Sequence, residues 1–161
     1  MNKIIILGCN SFAGATFTDA CLDNNFKVVG INRSNPTSSI FQPFLENPKK
    51  ENLTFVQADL NKDIKKVLEI MDSFKPDYIV DFAGQGMVAE SWERPHQWYQ
   101  TNIVSKSIIH RHLLDVKYLK FYIRISTPEV YGSSENLIKE TDVMNPSTPY
   151  AVSHMATDLS I

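Results

Sequence analysis

The sequence contains little cysteine and shows no metal-ligand pattern. Only Cys9 and Cys21 occur among the 161 residues, and their spacing fits neither a zinc site nor a redox pair. His96, His110 and His112 have no neighbouring ligands at metal-binding spacing. We therefore expect no metal site and two reduced thiols, as in a cytoplasmic protein.

Long apolar runs and clusters of basic residues are also missing. The N-terminal apolar run, residues 4–7, is stopped by Gly8 and is far too short for a signal peptide or a membrane span. The formal net charge is −2, and no stretch of lysine and arginine stands out. These absences argue against a membrane location and against nucleic acid as the main partner.

The sequence does contain a regular alternation of short apolar runs and longer amphipathic segments. Its 43% hydrophobic and 21% charged residues are typical of one globular domain with a sizeable core. The apolar runs predict about five strands, at residues 4–7, 27–31, 53–57, 78–82 and 119–126. The amphipathic segments predict helices at residues 12–23, 63–74, 95–116 and from 148 to the end. This alternation predicts an α/β fold, a doubly wound parallel sheet of the Rossmann type.

Two segments interrupt this alternation. Residues 32–50 contain three prolines and several serines, and we expect them to form a long polar loop. The last helix is expected to be still running at Ile161, because no glycine, proline or polar cluster closes it. We therefore expect residues 1–161 to be the N-terminal part of a longer protein. The alternative is a short protein that ends on an uncapped helix.

A glycine-containing loop lies between the first predicted strand and the first predicted helix. Gly8 allows the tight turn, Gly14 allows close packing of helix on strand, and Ser11 stands where a middle glycine is usual. Free N–H groups at the start of the helix can hold a pyrophosphate. The loop predicts a dinucleotide site that includes Gly8, Ser11, Phe12 and Gly14. A tight turn that binds nothing is the alternative.

The ends of the second and third predicted strands bear on the adenosine of such a ligand. Asn32 and Arg33 follow the second strand, where a carboxylate suits a free ribose and a basic residue suits a 2′-phosphate. Arg33 can pair with that phosphate, which favours NADP over NAD, but Asn32 can also bond a free ribose. Asp59 and Leu60 are placed to contact the adenine. The alternative role of Asp59 is to cap the next helix.

Several short motifs follow one another along almost the whole chain. They are Gly8 to Gly14, Asp59-Leu60, Phe82-Ala83-Gly84, Thr101-Asn102, Ser126 to Gly132 and Pro149 to Ser153. In this order the chain resembles the extended short-chain dehydrogenase/reductase family, and most closely its nucleotide-sugar epimerases and 4,6-dehydratases. The resemblance implies an NAD(P)-binding Rossmann domain at 1–161, a C-terminal substrate domain that is absent, and a nucleotide-sugar substrate. It also implies a homodimer for the full-length protein, and cofactor contacts from Ala83, Gly84, Tyr150 and His154.

The same resemblance assigns catalytic roles. Tyr150 matches the tyrosine that removes the proton of the sugar C4 hydroxyl, and Thr127 matches the residue that hydrogen-bonds this hydroxyl. Glu129, in the Thr-x-Glu pattern of the dehydratases, is placed to take the C5 proton before water is lost from C6. A phenol with a pKa of about 10 is a poor base at pH 7, so the reaction needs neighbours that stabilise the phenolate.

Three positions depart from the family pattern. His154 stands four residues after Tyr150, where the family has a lysine whose charge stabilises the phenolate. Histidine is shorter and mostly neutral at pH 7, since an ordinary imidazole has a pKa of about 6.5. Pro128 replaces an aspartate that some dehydratases use as an acid, and Gly86-Met87 replace a pair that is often polar.

These observations lead to three hypotheses. The first is a nucleotide-sugar 4,6-dehydratase that uses Thr127, Glu129 and Tyr150. The second is a 4-epimerase or reductase of the same family, in which Glu129 is incidental. The third is a catalytically impaired protein that only binds the dinucleotide, and it is motivated by His154 and Pro128. A dehydratase loses the C6 oxygen of its substrate and an epimerase keeps it, so product analysis separates the first two.

Overall fold

The structure, a computed structural model that describes residues 1–161, is organised into two units. Unit 1 consists of Met1–Ala83 and Asp115–Ile125, and unit 2 of Gly84–Leu114 and Ser126–Ile161. Unit 1 contains all five strands, whereas unit 2 contains only helices, turns and loops. None of the helices combines the length and the apolar character that crossing a membrane requires.

The strands of unit 1 are β1 (Lys3–Leu7), β2 (Lys27–Asn32), β3 (Leu53–Gln57), β4 (Tyr78–Asp81) and β5 (Phe121–Arg124). Their order across the sheet is β3-β2-β1-β4-β5, and every neighbouring pair is parallel. Helix α1 (Phe12–Asp23) connects β1 to β2, and α2 (Ile64–Phe74) connects β3 to β4. The predicted doubly wound parallel sheet is therefore confirmed. Its strand order reverses at β1, and sheets of this kind bind ligands beside such a point, at the carboxyl ends of the strands.

The core of unit 1 explains why its first strand is uniformly apolar. Ile4 is 3% exposed, and Ile5, Ile6 and Leu7 are fully buried, as expected for a central strand covered on both faces. Phe44, from the connection between β2 and β3, belongs to the same core cluster and is 1% exposed. Burial of a side chain of this size contributes about 1.5–3 kcal/mol.

The connection between β2 and β3 is more ordered than the sequence predicts. It contains 3₁₀ turns at Pro43–Leu45 and Lys50–Asn52. The amide of the buried Asn47 donates to Asp19 Oδ1 at 2.8 Å and to Asp23 Oδ1 at 3.0 Å, both on α1. The long loop expected at 32–50 is therefore present and contains only short 3₁₀ turns, and buried residues inside it anchor the segment to unit 1.

The helices and turns of unit 2 are α3 (Val88–Glu93), α4 (Pro95–Trp98), a π-helical turn (Tyr99–Val104), α5 (Ser105–Leu113), a 3₁₀ turn (Pro128–Tyr131) and α6 (Pro149–Asp158). The sequence did not predict α3. The single helix expected at 95–116 is interrupted by the π-helical turn, a feature that often accompanies functional residues. Helix α6 ends at Asp158 and not at Ile161, and the Ser160 hydroxyl donates to Thr157 O at 2.8 Å beyond its last turn.

Candidate functional site

The loop between β1 and α1 has a backbone that only glycine fits at two positions. Gly8 has a φ of +79°, and a Cβ atom there would lie 2.7 Å from Ala83 N. A Cβ atom on Gly14 would lie 2.3 Å from Gly8 O and 2.7 Å from Ser11 Oγ. The main chain of the loop therefore lies in close contact with the start of α1, as it does in sites that hold a pyrophosphate at a helix N-terminus.

Ser11, which stands where a middle glycine is usual, joins two points of the loop through hydrogen bonds of its side chain. It is the N-cap of α1, and its Oγ accepts a hydrogen bond from Gly14 N at 3.1 Å and donates to Gly8 O at 2.8 Å. Phe12, the first residue of α1, is 93% exposed. An aromatic ring so fully exposed beside a glycine loop is available to contact a bound ligand.

The residues predicted to bind adenosine follow β2 and β3. Arg33 is exposed, and its carbonyl accepts a hydrogen bond from Gln57 Nε2 at 3.1 Å. Asp59 Oδ1 accepts from Asn61 N at 2.9 Å, and the N-cap of α2 is Asp63. The alternative that Asp59 caps α2 was therefore wrong, because a turn separates this residue from the start of the helix.

Leu60, the neighbour of Asp59, is 8% exposed and packs into unit 1. At the end of β4, Ala83 N donates to Asp81 Oδ1 at 2.9 Å. Asp81 is 1% exposed, and its Oδ2 accepts from Tyr122 Oη at 2.7 Å. The two bonds fix the chain at the end of β4, where the backbone of Ala83 approaches Gly8. Sequence analysis missed this role of Asp81, although a carboxylate at the end of an apolar strand is a detectable signal.

The first turn of α6 positions Tyr150. Thr148 is the N-cap and accepts from Ala151 N at 3.0 Å, and Pro149 occupies the first helical position. Tyr150 N donates to the Oγ of the fully buried Ser91 at 3.2 Å. The half-buried Tyr150 therefore has a well-defined backbone, held both by its own helix and by α3.

His154 lies one helical turn after Tyr150 and contacts its ring. The two ring centroids are 4.6 Å apart and the planes are inclined by 54°. His154 is 7% exposed. The imidazole therefore contacts the phenol ring of Tyr150, and it carries charge there only when protonated.

Asn102, in the π-helical turn, is the centre of the buried polar network of unit 2. Its Oδ1 accepts from Gln85 N at 2.7 Å, and its Nδ2 donates to Ser153 Oγ at 2.9 Å and to Gln85 O at 3.2 Å. Ser153 Oγ donates to Tyr150 O at 2.7 Å. The Thr157 hydroxyl contacts both Asn102 O and Ser153 O. This network ties the segment after Gly84 to the helix that carries Tyr150.

The Thr-x-Glu pattern lies in the 3₁₀ turn before α6. Thr127 caps the turn, and its Oγ1 accepts from Glu129 N at 3.3 Å. Pro128 is the exposed first residue of the turn, and the side chains of Thr127 and Glu129 are half-buried. The turn packs against α6, the helix that carries Tyr150 and His154. All four predicted catalytic residues thus belong to two adjacent elements of unit 2.

Neither cysteine has the character of a catalytic thiol. Burial raises the pKa of Cys9 to about 12 and the pKa of Cys21 to about 11, so both stay protonated at neutral pH. The structure also contains no group of three or more histidine, cysteine, aspartate or glutamate side chains that could hold a metal ion. The remaining candidates for chemistry are the side chains of Thr127, Glu129, Tyr150 and His154 in unit 2.

The parallel sheet, its glycine loop and the capped helix define an α/β protein of the Rossmann type. A family model described as GDP-mannose 4,6 dehydratase matches residues 5–161. The chain therefore belongs to this family of enzymes, within the extended short-chain dehydrogenase/reductases that include nucleotide-sugar dehydratases and epimerases.

Individual relatives agree with the family model. The dTDP-glucose 4,6-dehydratase of Xanthomonas campestris is 25% identical over 96% of this chain and 46% of the relative. The UDP-Glc/GlcNAc 4-epimerase of Campylobacter jejuni has the same fold, with a TM-score of 0.87, 24% identity and coverage of 99% of this chain and 47% of that one. The UDP-glucose 4-epimerase of Brucella ovis, solved in complex with NAD, has a TM-score of 0.81, 21% identity and coverage of 99% and 46%. The chain spans about half the length of the curated relatives it matches.

Proposed function

We propose that the protein is a nucleotide-sugar 4,6-dehydratase that works with a bound nicotinamide dinucleotide. The observation that carries this proposal is the position of Glu129, in a Thr127-x-Glu129 turn that packs against the helix of Tyr150. Epimerisation at C4 requires no base for C5, whereas dehydration across C5 and C6 does. A carboxylate beside the tyrosine helix therefore favours the dehydratase.

The glycine loop of unit 1 suits a dinucleotide. The pyrophosphate would be held by the loop in which a Cβ on Gly8 or Gly14 cannot fit. The residues proposed to contact the dinucleotide are Gly8, Ser11, Phe12, Gly14, Asn32, Arg33, Asp59, Leu60, Ala83, Gly84, Tyr150 and His154. When bound, the nicotinamide supplies an acceptor for the C4 hydride and returns it at C6, so that the dinucleotide is not consumed.

We propose NADP as the preferred dinucleotide. Arg33 is exposed directly after β2, and neither Asn32 nor Ser34 carries a carboxylate that would repel a 2′-phosphate. The solved epimerase from Brucella ovis was obtained with NAD, so the family accommodates dinucleotides without that phosphate. Titration of the protein with NAD and NADP separately measures the preference.

The protein groups have distinct tasks in the proposed reaction. Tyr150 takes the proton of the C4 hydroxyl, which Thr127 orients, while C4 becomes a ketone. The ketone acidifies the C5 proton, and Glu129 removes it. The C6–O bond then breaks, and the leaving hydroxyl takes up a proton to depart as water. Return of the hydride to C6 is accompanied by protonation of C5 from solvent, and this proton replaces the one that Tyr150 took from the C4 hydroxyl. Oxidation at C4 is thus balanced by reduction at C6, and the net change is the loss of one water.

Pro128 limits which residue can supply the proton that the leaving hydroxyl at C6 takes up. Proline has no acidic group, so it cannot replace the aspartate that some dehydratases have at this position. The proton that Glu129 removes from C5 is then the one available to the leaving hydroxyl at C6. We therefore assign both proton transfers at this end of the sugar to Glu129.

Two variants and one product analysis test this assignment. The protein is given NAD or NADP and a panel of nucleotide hexoses, and products are examined by mass spectrometry and NMR. We expect a 4-keto-6-deoxy sugar that is lighter than the substrate by one water. Glu129→Gln should abolish loss of water and still allow exchange at C4, whereas Tyr150→Phe should abolish both. A wild-type product that keeps its C6 oxygen would contradict the proposal.

A 4-epimerase is the second candidate, and Pro128 is the observation that favours it. Without an acid at this position, the turn has no second acidic side chain to protonate the leaving C6 hydroxyl, as some dehydratases do. The same panel distinguishes the two, because an epimerase inverts C4 and keeps the C6 oxygen. Glu129→Gln would then leave turnover unchanged. A protein that binds the dinucleotide but converts no substrate would support the catalytically impaired alternative.

We also propose that the full-length protein is a cytoplasmic homodimer. Val104, the last residue of the π-helical turn, and Ile108, one helical turn later in α5, are 44% and 41% exposed. Together they form an apolar surface suited to a second copy. Light scattering on the purified protein measures its mass, and Ile108→Lys should shift a dimer towards monomer. The C-terminal substrate domain stays a prediction.

A further inference from the structure

Asn10 links the glycine loop to the segment that follows β2. It lies in the glycine loop two residues after Gly8, and its Nδ2 donates to Ser34 O at 2.7 Å. Its own carbonyl accepts a hydrogen bond from Gln42 Nε2 at 3.5 Å. One residue therefore holds two points of the β2–β3 connection against the predicted pyrophosphate loop.

Gln42 is the second part of this link. It is 7% exposed, and its Oε1 accepts hydrogen bonds from Thr37 N at 3.1 Å and from Ser38 N at 3.0 Å. The backbone of Gln42 also donates to Ser38 O at 2.9 Å, which closes a tight turn. The oxygen of the Gln42 carboxamide thus stabilises the turn at residues 37–42, and its nitrogen donates to the carbonyl of Asn10.

The segment held in this way contains the residues proposed to meet the adenosine ribose. Asn32 Nδ2 donates to Ser34 O at 3.2 Å and to Ser34 Oγ at 3.1 Å. The Ser34 carbonyl therefore receives two amide donors, one from the end of β2 and one from Asn10. The neighbouring Arg33 carries the only positive charge among these residues.

We propose that Asn10, supported by Gln42, is a positioning residue that sets the preference for a 2′-phosphorylated dinucleotide. Arginine recognises phosphate through two hydrogen bonds whose geometry is demanding, so a displaced Arg33–Ser34 backbone loses this recognition. Binding of the pyrophosphate depends on the glycine loop and much less on this segment. This inference rests on the proposed dinucleotide-binding function.

Two substitutions of Asn10 test it, with NADP and NAD titrated separately by calorimetry. Asn10→Ala removes the donor to Ser34 O. Asn10→Asp keeps the shape of the side chain but has no N–H to donate, and it places a negative charge close to Ser34. We expect the Kd for NADP to rise about tenfold for Asn10→Ala, with the Kd for NAD changed by less than about threefold. Asn10→Asp should raise the Kd for NADP further and should also weaken NAD, because its carboxylate repels the pyrophosphate that both dinucleotides carry. Gln42→Glu, which keeps the acceptor and removes the donor, should act in the same direction.

Asn24→Ala is the matched control. Asn24 Nδ2 donates to Ala20 O at 2.8 Å at the other end of α1, so its loss removes the same kind of amide-to-carbonyl bond far along the chain from this segment. Asn24→Ala should lower the thermal midpoint without changing the ratio of the two Kd values. Asn10 variants that lower the midpoint and leave this ratio unchanged would overturn the inference alone. Failure of the wild-type protein to bind either dinucleotide would contradict the proposed function as well.

Discussion

The two units use different means to build their sites. In unit 1, the glycine loop depends on main-chain atoms that approach so closely that Gly8 and Gly14 admit no Cβ atom. In unit 2, the candidate catalytic groups are side chains on the 3₁₀ turn and on α6, where Tyr150 and His154 contact each other through their rings. A site made of main chain tolerates little change, whereas a site made of side chains can be altered while the backbone stays intact.

The expected departures from the family pattern at His154 and Pro128 both lie in unit 2. Helix α6 has its Thr148 cap and its bonds through Ser153 to Asn102. These bonds do not involve the side chain of His154 or Pro128. Side chains proposed to carry chemistry in unit 2 can therefore differ without loss of these bonds, whereas Gly8 and Gly14 in unit 1 cannot be replaced without displacing main-chain atoms.

The largest effect is expected from Gly14→Ala. The new methyl group would meet Gly8 O at 2.3 Å and Ser11 Oγ at 2.7 Å, so either the loop or α1 must move. We expect a loss of about 3 kcal/mol in the free energy of unfolding and loss of dinucleotide binding. Urea denaturation and calorimetry measure the two effects. The control is Gly86→Ala, where a Cβ meets nothing within 4 Å. Equal effects of the two substitutions would refute the role of the main chain in unit 1.

A somewhat smaller effect is expected from Asn102→Ala. The substitution leaves the N–H of Gln85 without its acceptor and removes the bond that the Ser153 oxygen accepts in this buried network. Such losses cost about 2–3 kcal/mol, measured as a shift of the urea midpoint. Asn35→Ala, at an exposed position of unit 1, should change the midpoint very little. A small effect of Asn102→Ala would mean that unit 2 does not need this network to hold Tyr150.

His154→Lys tests whether the altered cation limits turnover. An imidazole is mostly neutral above pH of about 6.5, whereas an ammonium group stays charged and can stabilise the phenolate of Tyr150. We expect His154→Lys to raise activity about tenfold at pH 8.5, where an imidazole is neutral and an ammonium group is charged. His154→Gln, which is never charged, should not show this rise. Identical pH profiles of the three proteins would exclude a charge effect of residue 154.

The smallest effect concerns a surface ion pair outside both sites. Hydrogen bonds from Lys3 N at 2.9 Å and from Lys120 Nζ at 3.0 Å hold the pKa of Asp77 below its ordinary value. Asp77 therefore stabilises the fold above the unfolded-state pKa of about 3.9, and this contribution is lost as the pH falls through the folded-state value. Asp77→Asn should unfold with less dependence on pH between 5 and 3 than the wild type. An unchanged acid dependence would show that the pair contributes nothing.

Strands, helices and the glycine loop could be predicted because they depend on local patterns. The apolar run at 4–7 has the composition of a buried parallel strand, and the segment from Gly8 to Gly14 runs from the end of this strand into the first turn of α1. Errors arose where distant residues decide the local structure. Phe44 orders part of a segment expected to be a loop, and the π-helical turn that interrupts the helix at 95–116 places Asn102 inside unit 2.

Within the candidate site, residue types were predictable and contacts were not. Tyr150 and Glu129 stood out because their motifs are short and local. The links from Tyr150 to Ser91 and from Asn10 to Ser34 join residues far apart in sequence, and no periodicity indicates them. Aspartate at the end of a strand, as at Asp81, is a signal that careful inspection could have used.

The sequence by itself determined the parallel α/β fold and the family, because hydrophobic periodicity and short motifs are local properties of the chain. Only the tertiary structure decided that His154 lies on the ring of Tyr150, that Asn102 anchors α6, and that Asn10 holds the segment after β2. These relations depend on side chains from separate elements meeting in a packed interior, where a polar group must find a partner.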